Sequence, residues 1–317
     1  MRQLVPAAGL AAAVMAGLAL SVPAQASVPA EAPAPVRTAV TEAAALKAAP
    51  VRNDGLNEPI YWVHGIRREK AHAFPCSAWN QAIGRYRALR ATGPQHTVAY
   101  YKNDRGCNTR IGSFKDHKSP GIRELGRRLA WDIYNRYTRR NVSVDAVGHS
   151  MGGLIIRAAI TGVQKHTKGF PPRIYVEDAV TLSTPHLGAT LARGCRGSQC
   201  ADMRPGSGFL KWLSSNPQSS QGTDWTLLGS GDDNWVDWHS AVSQLRNYQQ
   251  KAGWMSAGHK VVFYSGQKLE HDAMMKVNTG AYHSRYWNFY QKRWIEQRRG
   301  ASPVVVARNA NWYWRLW

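Results

Sequence analysis

Between Pro59 and Tyr264, short apolar runs alternate with longer segments whose apolar positions recur every three or four residues. The runs Ile60–Val63, Thr97–Tyr101, Val142–Val147, Ile174–Leu182, Trp225–Leu228 and Val261–Tyr264 are rich in branched and aromatic residues and predict strands. Glu177-Asp178 interrupts the fourth run and leaves its ends open. From Gly121 to Thr138, Ile122, Leu125, Leu129 and Ile133 line one face of a helix. Ser119-Pro120 stands where an N-cap and first-turn proline belong, and Glu124 complements the positive end of the dipole. Leu154–Ala159 reads as a buried helix. Strands spaced by helices predict right-handed crossovers and a mainly parallel sheet covered on both faces, an α/β fold. Active groups in such a sheet gather at the carboxyl ends of the strands.

The pattern breaks off at both ends of the chain. Residues 1–26 read as an export signal: Arg2 is the positive start, Gly9–Leu20 the apolar run, and Ala24-Gln25-Ala26 the cleavage site, giving a mature start near Ser27. Residues 27–57 are rich in Ala and Pro and read as a linker or propeptide. The catalytic domain is expected over residues 58–300, with a basic, Trp-rich tail over 301–317. No apolar run reaches the roughly 20 residues of a bilayer span, so the sequence predicts no integral membrane protein. No internal period suggests a solenoid.

Composition fits a sizeable folded domain: of 317 residues, 44% are AVILMFWYC and 19% are charged. Lys+Arg of 41 against Asp+Glu of 20 gives +21, and there are 13 Trp. Between Arg285 and Trp317, seven Arg/Lys and the single acid Glu296 interleave with Trp287, Trp294, Trp312, Trp314 and Trp317. Cations with aromatics suit peripheral contact with an anionic membrane or wall polymer. They also suit single-stranded nucleic acid, although no specific nucleic acid is expected, and a solvated basic face over core tryptophans fits equally well. The oligomeric state cannot be read. Export turns the four cysteines toward disulfides, and proximity favours Cys76–Cys107 and Cys195–Cys200 among the three pairings. Zinc is disfavoured because no pair has C-x-x-C spacing and no His cluster accompanies them, so no metal site is expected.

Gly148-His149-Ser150-Met151-Gly152 follows the strand Val142–Val147 and precedes the apolar helix, which is G-x-S-x-G in strand–turn–helix context. Only small neighbours fit so sharp a turn, and it lifts the Ser150 hydroxyl above the sheet at a helix N-terminus. A serine used for acyl transfer needs two amide donors for the developing oxyanion. The N–H of Met151 is one candidate. The other is the N–H of Ile66, in Val63-His64-Gly65-Ile66 after the first strand. An acid is expected beyond a later strand and a histidine beyond the last. Asp233 is preferred as the acid because Val236, three residues on, can pack under the turn; Asp232 is the runner-up and Asp237 trails. His271 lies seven residues past the last run. His283 is its main rival, His259 falls before the strand, and His239 lies between the two elements. In the order Ser150, Asp233, His271, the serine attacks, the histidine moves the proton and the acid orients it.

These segments resemble the α/β-hydrolase superfamily, and within it bacterial secreted triacylglycerol lipases and esterases. The likeness also rests on Leu182-Ser183-Thr184-Pro185-His186-Leu187-Gly188 and on Asp202-Met203-Arg204-Pro205-Gly206-Ser207-Gly208-Phe209-Leu210, and it spans roughly Ile60 to Met275. It implies an α/β-hydrolase fold, ester hydrolysis through an acyl-enzyme and no organic cofactor. It supports Asp233, since the family's acid commonly stands three residues before a valine. The Leu191–Asp224 insert reads as a disulfide-pinned loop rather than a lid, with only Phe209–Leu213 hinting at a helix. The function expected is a secreted carboxylic-ester hydrolase. Two alternatives stand beside it: the same triad on another acyl bond (amide, thioester, polyester or acyl transfer), and an inactive polyanion-binding protein on this fold.

Overall fold

The computed structural model describes residues 48–52, 55–67, 74–244 and 253–312. The expected signal peptide, most of the linker, and Trp314 and Trp317 lie outside these. In chain order the elements are β1 (Ile60–Val63), α1 (Asn80–Ala88), β2 (Gln95–Tyr101), β3 (Thr109–Phe114), α2 (Ile122–Arg136), β4 (Val144–His149), α3 (Met151–Gln164) and β5 (Val176–Leu182). Then come α4 (Ser198–Asp202), α5 (Gly208–Trp212), β6 (Asp224–Ser230), α6 (Trp238–Ala241), β7 (His259–Phe263), β8 (Ala281–Asn288), β9 (Arg293–Ala301) and α7 (Pro303–Ala310). The strands form one sheet in the order β3-β2-β1-β4-β5-β6-β7-β8-β9. Pairing is parallel from β3 to β7 and antiparallel for the last two strands.

Side-chain alternation divides the core between the two faces of this sheet. Tyr61, Val63, Val144 and Ala146 pack with the apolar faces of α2 and α3. Ile60, Trp62 and Val147 pack with Ala82, Ile83 and Tyr86 of α1 and with Val304, Val306, Ala307 and Ala310 of α7. Covering both faces is what allows β4 and β5 to be buried along their whole length. The chain order reverses between β1 and β4, and ligands of open α/β sheets bind at the strand ends beside such a reversal.

Four features differ from the sequence reading. Helix α2 is not capped by Ser119: its N-cap is Gly121, and the Ser119–Pro120 bond is cis. The acceptor for its first turn is remote, since the Ile122 N–H donates to the Asp202 carboxylate at 2.7 Å. Glu124 does sit in the first turn, bonded to Arg127 and Arg128. Strand β5 runs through Glu177-Asp178, both buried at its amino end, where Arg52 reaches Asp178 at 3.0 Å. Strand β3 carries no apolar run and was not expected. The basic, Trp-rich segment forms the β8–β9 hairpin, and the packed core continues past residue 300 into α7. Arg285 is held among rings, its guanidinium 4.8 and 4.9 Å from the ring centres of Trp238 and Trp294, while Lys292, Arg293, Arg298 and Arg299 stay exposed.

Both expected cysteine pairs are bonded, Cys76–Cys107 and Cys195–Cys200. The insert holds only short helical turns, among them α4 and α5, with α5 at the expected Phe209–Leu213. No helix among the described residues is long and apolar enough to cross a membrane.

Candidate active site

The register of the sheet places the site. Val63 of β1 pairs with Gly148 of β4, so the residues two places on, Gly65 and Ser150, leave the sheet side by side at the reversal point. A Cβ on Gly65 would lie 2.7 Å from the Ser150 Cβ, so only glycine permits this approach. Ser150 has φ 56° and ψ −129°, outside the regions open to most L-residues. Holding a non-glycine residue there costs about 1–3 kcal/mol, met by the surrounding packing. On the helix side, a Cβ on Gly152 would fall 2.0 Å from the Val63 carbonyl oxygen. The elbow therefore packs directly onto the end of β1. The Ser150 carbonyl accepts the Thr184 hydroxyl at 2.9 Å, which ties the turn to the Ser183-Thr184-Pro185 segment after β5.

Two neighbouring strands deliver the other expected residues. Ser230 of β6 pairs with Phe263 of β7, and the loops beyond them carry Asp233 and His271. His271 Nδ1 lies 2.8 Å from one Asp233 carboxylate oxygen and 3.1 Å from the other. A carboxylate only accepts, so Nδ1 carries the proton and Nε2 of the neutral ring is left as a base. Asp233 also accepts the amides of Trp235 and Val236, each at 2.9 Å, and the Val236 side chain is buried beneath the turn. Burial works against the Asp233 charge, but the hydrogen bonds from His271 and from the Val236 amide outweigh it and hold the carboxyl below its usual range.

Asp232 plays a different part. It accepts the amides of Gly266, Gln267 and Leu269, and so shapes the loop that carries His271. Asp237 pairs with His239, His259 with Asp224, and His283 with Glu296, none of them at this site.

Ser150, His271, Ile66, His149 and Trp235 line one cavity of about 340 Å³. Ser150, His271, Ile66 and Trp235 also border a smaller apolar recess. The amides of Ile66 and Met151 have no acceptor among the described residues. Met151 is the first residue of α3, where the backbone N–H lacks a partner within the helix.

Three contributors escaped the sequence reading. Tyr100 places its hydroxyl 2.7 Å from the carbonyl oxygens of both His64 and Gly65. The Gly65 carbonyl belongs to the same peptide unit as the Ile66 N–H, so holding one end fixes the direction of the other. Asp104 accepts the amides of Tyr100 and Tyr101 at 2.9 and 2.8 Å and faces His64 Nε2 at 3.1 Å. The third is His149, the variable residue of the serine motif, whose Nε2 donates to the His271 carbonyl at 2.9 Å. Burial, and then the neighbouring His271, push the His149 pKa down to about 3, so it stays neutral. Its position just before the serine was the one available signal.

Among the described residues, the one cluster with metal-ligand geometry is His117, Cys195 and Cys200, whose donor atoms lie within 4.8 Å of one another. With the two sulfurs bonded to each other, only the imidazole remains as a strong donor.

Residues 112–220 match the family described as "Putative serine esterase (DUF676)". No curated protein matches the chain. Among solved structures it is similar to the mature form of the Bacillus licheniformis lipase BlEst2, at 18% identity and a TM-score of 0.44, over 72% of this chain and 90% of that one. It is similar to Aspergillus fumigatus lipase B at 14% identity and a TM-score of 0.43, over 72% of this chain and 51% of that one, so it spans about half of that protein. A lipase-esterase related protein from Clostridium acetobutylicum shows 10% identity and a TM-score of 0.42, over 72% of this chain and 92% of that one. The strand order and the serine set between strand and helix give the chain an α/β-hydrolase fold, and residues 112–220 are where it is similar to the family described as "Putative serine esterase".

Proposed function

We propose that the protein is an exported serine hydrolase that cleaves carboxylic esters through an acyl-enzyme on Ser150. The observation that carries this reading is the Asp233–His271 contact of 2.8 Å beside a serine held on a strained turn in the same cavity. His271 Nε2 takes the hydroxyl proton as Ser150 Oγ attacks the carbonyl carbon. The oxygen of the tetrahedral intermediate turns toward the N–H groups of Ile66 and Met151, the two amides assigned as its donors. Collapse expels the alcohol, to which His271 returns the proton. Water then repeats the sequence on the acyl-enzyme, regenerating Ser150 and releasing the acid. Asp233 stays ionised throughout and steadies the imidazolium. Two disulfides support export, because such bonds persist in oxidising compartments.

The test is hydrolysis of p-nitrophenyl esters with Ser150→Ala as control. The parent should turn them over, and the variant should lose about 10⁴-fold or more in kcat. A fluorophosphonate should label Ser150 in the parent and not in Ser150→Ala, and excess ester should slow the labelling. Turnover that survives in Ser150→Ala would remove the proposal.

A further inference from the structure

Two recesses of unlike size and chemistry meet at Ser150 and His271. The wider, about 340 Å³, carries charged side chains of both signs, Arg67, Lys268, Glu270 and Asp272. The other is about 40 Å³ and apolar, walled by Ile66, Pro185, Leu191, Ala192, Met203 and Val236. An ester whose carbonyl carbon rests at Ser150 must send its acyl half into one recess and its alcohol half into the other. Building on the ester-hydrolase reading above, we infer that the substrates are short-chain acyl esters of polar alcohols, with the acyl group in the apolar recess and the alcohol in the charged one.

Volume sets the acyl limit. A water-sized group needs about 10–15 Å³ of such space, so the apolar recess takes roughly three of them. That corresponds to an acyl chain near butyryl once the carbonyl carbon is placed at the serine. The wall is braced against widening. Cys195, which borders the recess, is bonded to Cys200. Arg204 donates to the carbonyls of Ala192 and Cys195 at 3.3 and 3.1 Å, and the Ala189 amide donates to the Met203 carbonyl at 2.9 Å. These bonds join the two ends of the wall segment to each other, so a longer chain cannot enter by moving the segment's backbone. Methylenes beyond the recess remain in water or meet the charged recess, and neither gains burial.

The experiment measures kcat/KM for p-nitrophenyl acetate through decanoate, each below its micelle concentration. The expected profile rises up to about fourfold per methylene from acetate to butyrate. It then falls, with decanoate about tenfold or more below butyrate. At a fixed butyryl group, glycerol 1-monobutyrate should exceed hexyl butyrate. Leu191→Ala and Met203→Ala, which widen the recess from two sides, should each move the optimum about two carbons longer. A loss of fold would lower the whole profile without moving its peak. Decanoate equal to or better than butyrate in the parent overturns the inference, as does an optimum that stays in place in both variants when their melting temperatures match the parent's. Hexyl butyrate exceeding the glycerol ester overturns the assignment of the two halves. Failure of the parent to hydrolyse any ester, with no fluorophosphonate labelling of Ser150, instead removes the underlying ester-hydrolase reading.

Discussion

Ser150 is one atom group in a lattice of short bonds, and its neighbours decide whether it can react. Tyr100 touches no proposed reacting atom, yet it holds the peptide that aims the Ile66 amide. Removing an oxyanion donor outright costs about 10²–10³ in kcat, and loosening one should cost less. Tyr100→Phe keeps the ring that stacks on His64 at 4.1 Å and deletes only the hydroxyl. It should therefore lower kcat about tenfold with KM little changed, as steady-state kinetics would show. His149 is held neutral in the fold, whereas the unfolded chain takes up a proton below about pH 6.5. Its contribution is present above that value and is lost as pH falls toward 3, at up to about 1.4 kcal/mol per unit. His149→Gln, which can still donate to the His271 carbonyl, should show a smaller drop in melting temperature between pH 7 and pH 5. Ser150, Asp233 and His271 could be singled out because each follows a recognisable strand in a fixed order. Tyr100, Asp104 and His149 could not, since their partners lie across strands and no spacing in the chain encodes such contacts.

Elements were legible where burial is filled by apolar side chains; β5 is buried throughout, yet its acids Glu177 and Asp178 hid its ends. β1, β2, β4, β6 and β7 read as branched or aromatic runs because most of their side chains are buried. β3, β8 and β9 lie toward the sheet's two margins and are only partly buried, so polar residues dilute the period-two signal. The start of α2 was misplaced by two residues because its cap comes from Asp202, 80 positions away. Proximity along the chain was enough to pair the cysteines, but it said nothing of what the bonds hold together. Cys76–Cys107 joins the turn before α1 to the loop between β2 and β3. Closing a loop of 31 residues restricts the unfolded chain by about 3–4 kcal/mol. Replacing both cysteines by serine should lower the unfolding free energy by about that amount in urea titration. Hydrolysis in dilute buffer should be little altered, because neither sulfur borders the cavity.

At the scale of the whole molecule, the two ends of the sheet have opposite characters. The carboxyl ends present Ser150, Asp233 and His271. The amino ends gather Asp145, Asp178 and Asp224, whose carboxyls are raised above their ordinary range by burial. For Asp145 the charges of Asp178, Glu58 and Glu177 add to that effect. A raised acid contributes stability below its unfolded value, near pH 4, and loses it as pH climbs through the folded value. Asp145→Asn keeps the acceptor for the Asp178 amide and removes the ionisable proton. The variant's melting temperature relative to the parent should therefore grow between pH 4 and pH 8, as calorimetry at several pH values would show. This remote cluster was invisible in the sequence, where the acids of β5 looked like an interruption. A rim that tolerates crowded carboxyls at some loss of resilience leaves slack far from Ser150. Substitutions there could harden the fold against heat or alkali while the proposed hydrolysis stays as it was, which gives protein engineers a place to begin away from the candidate site.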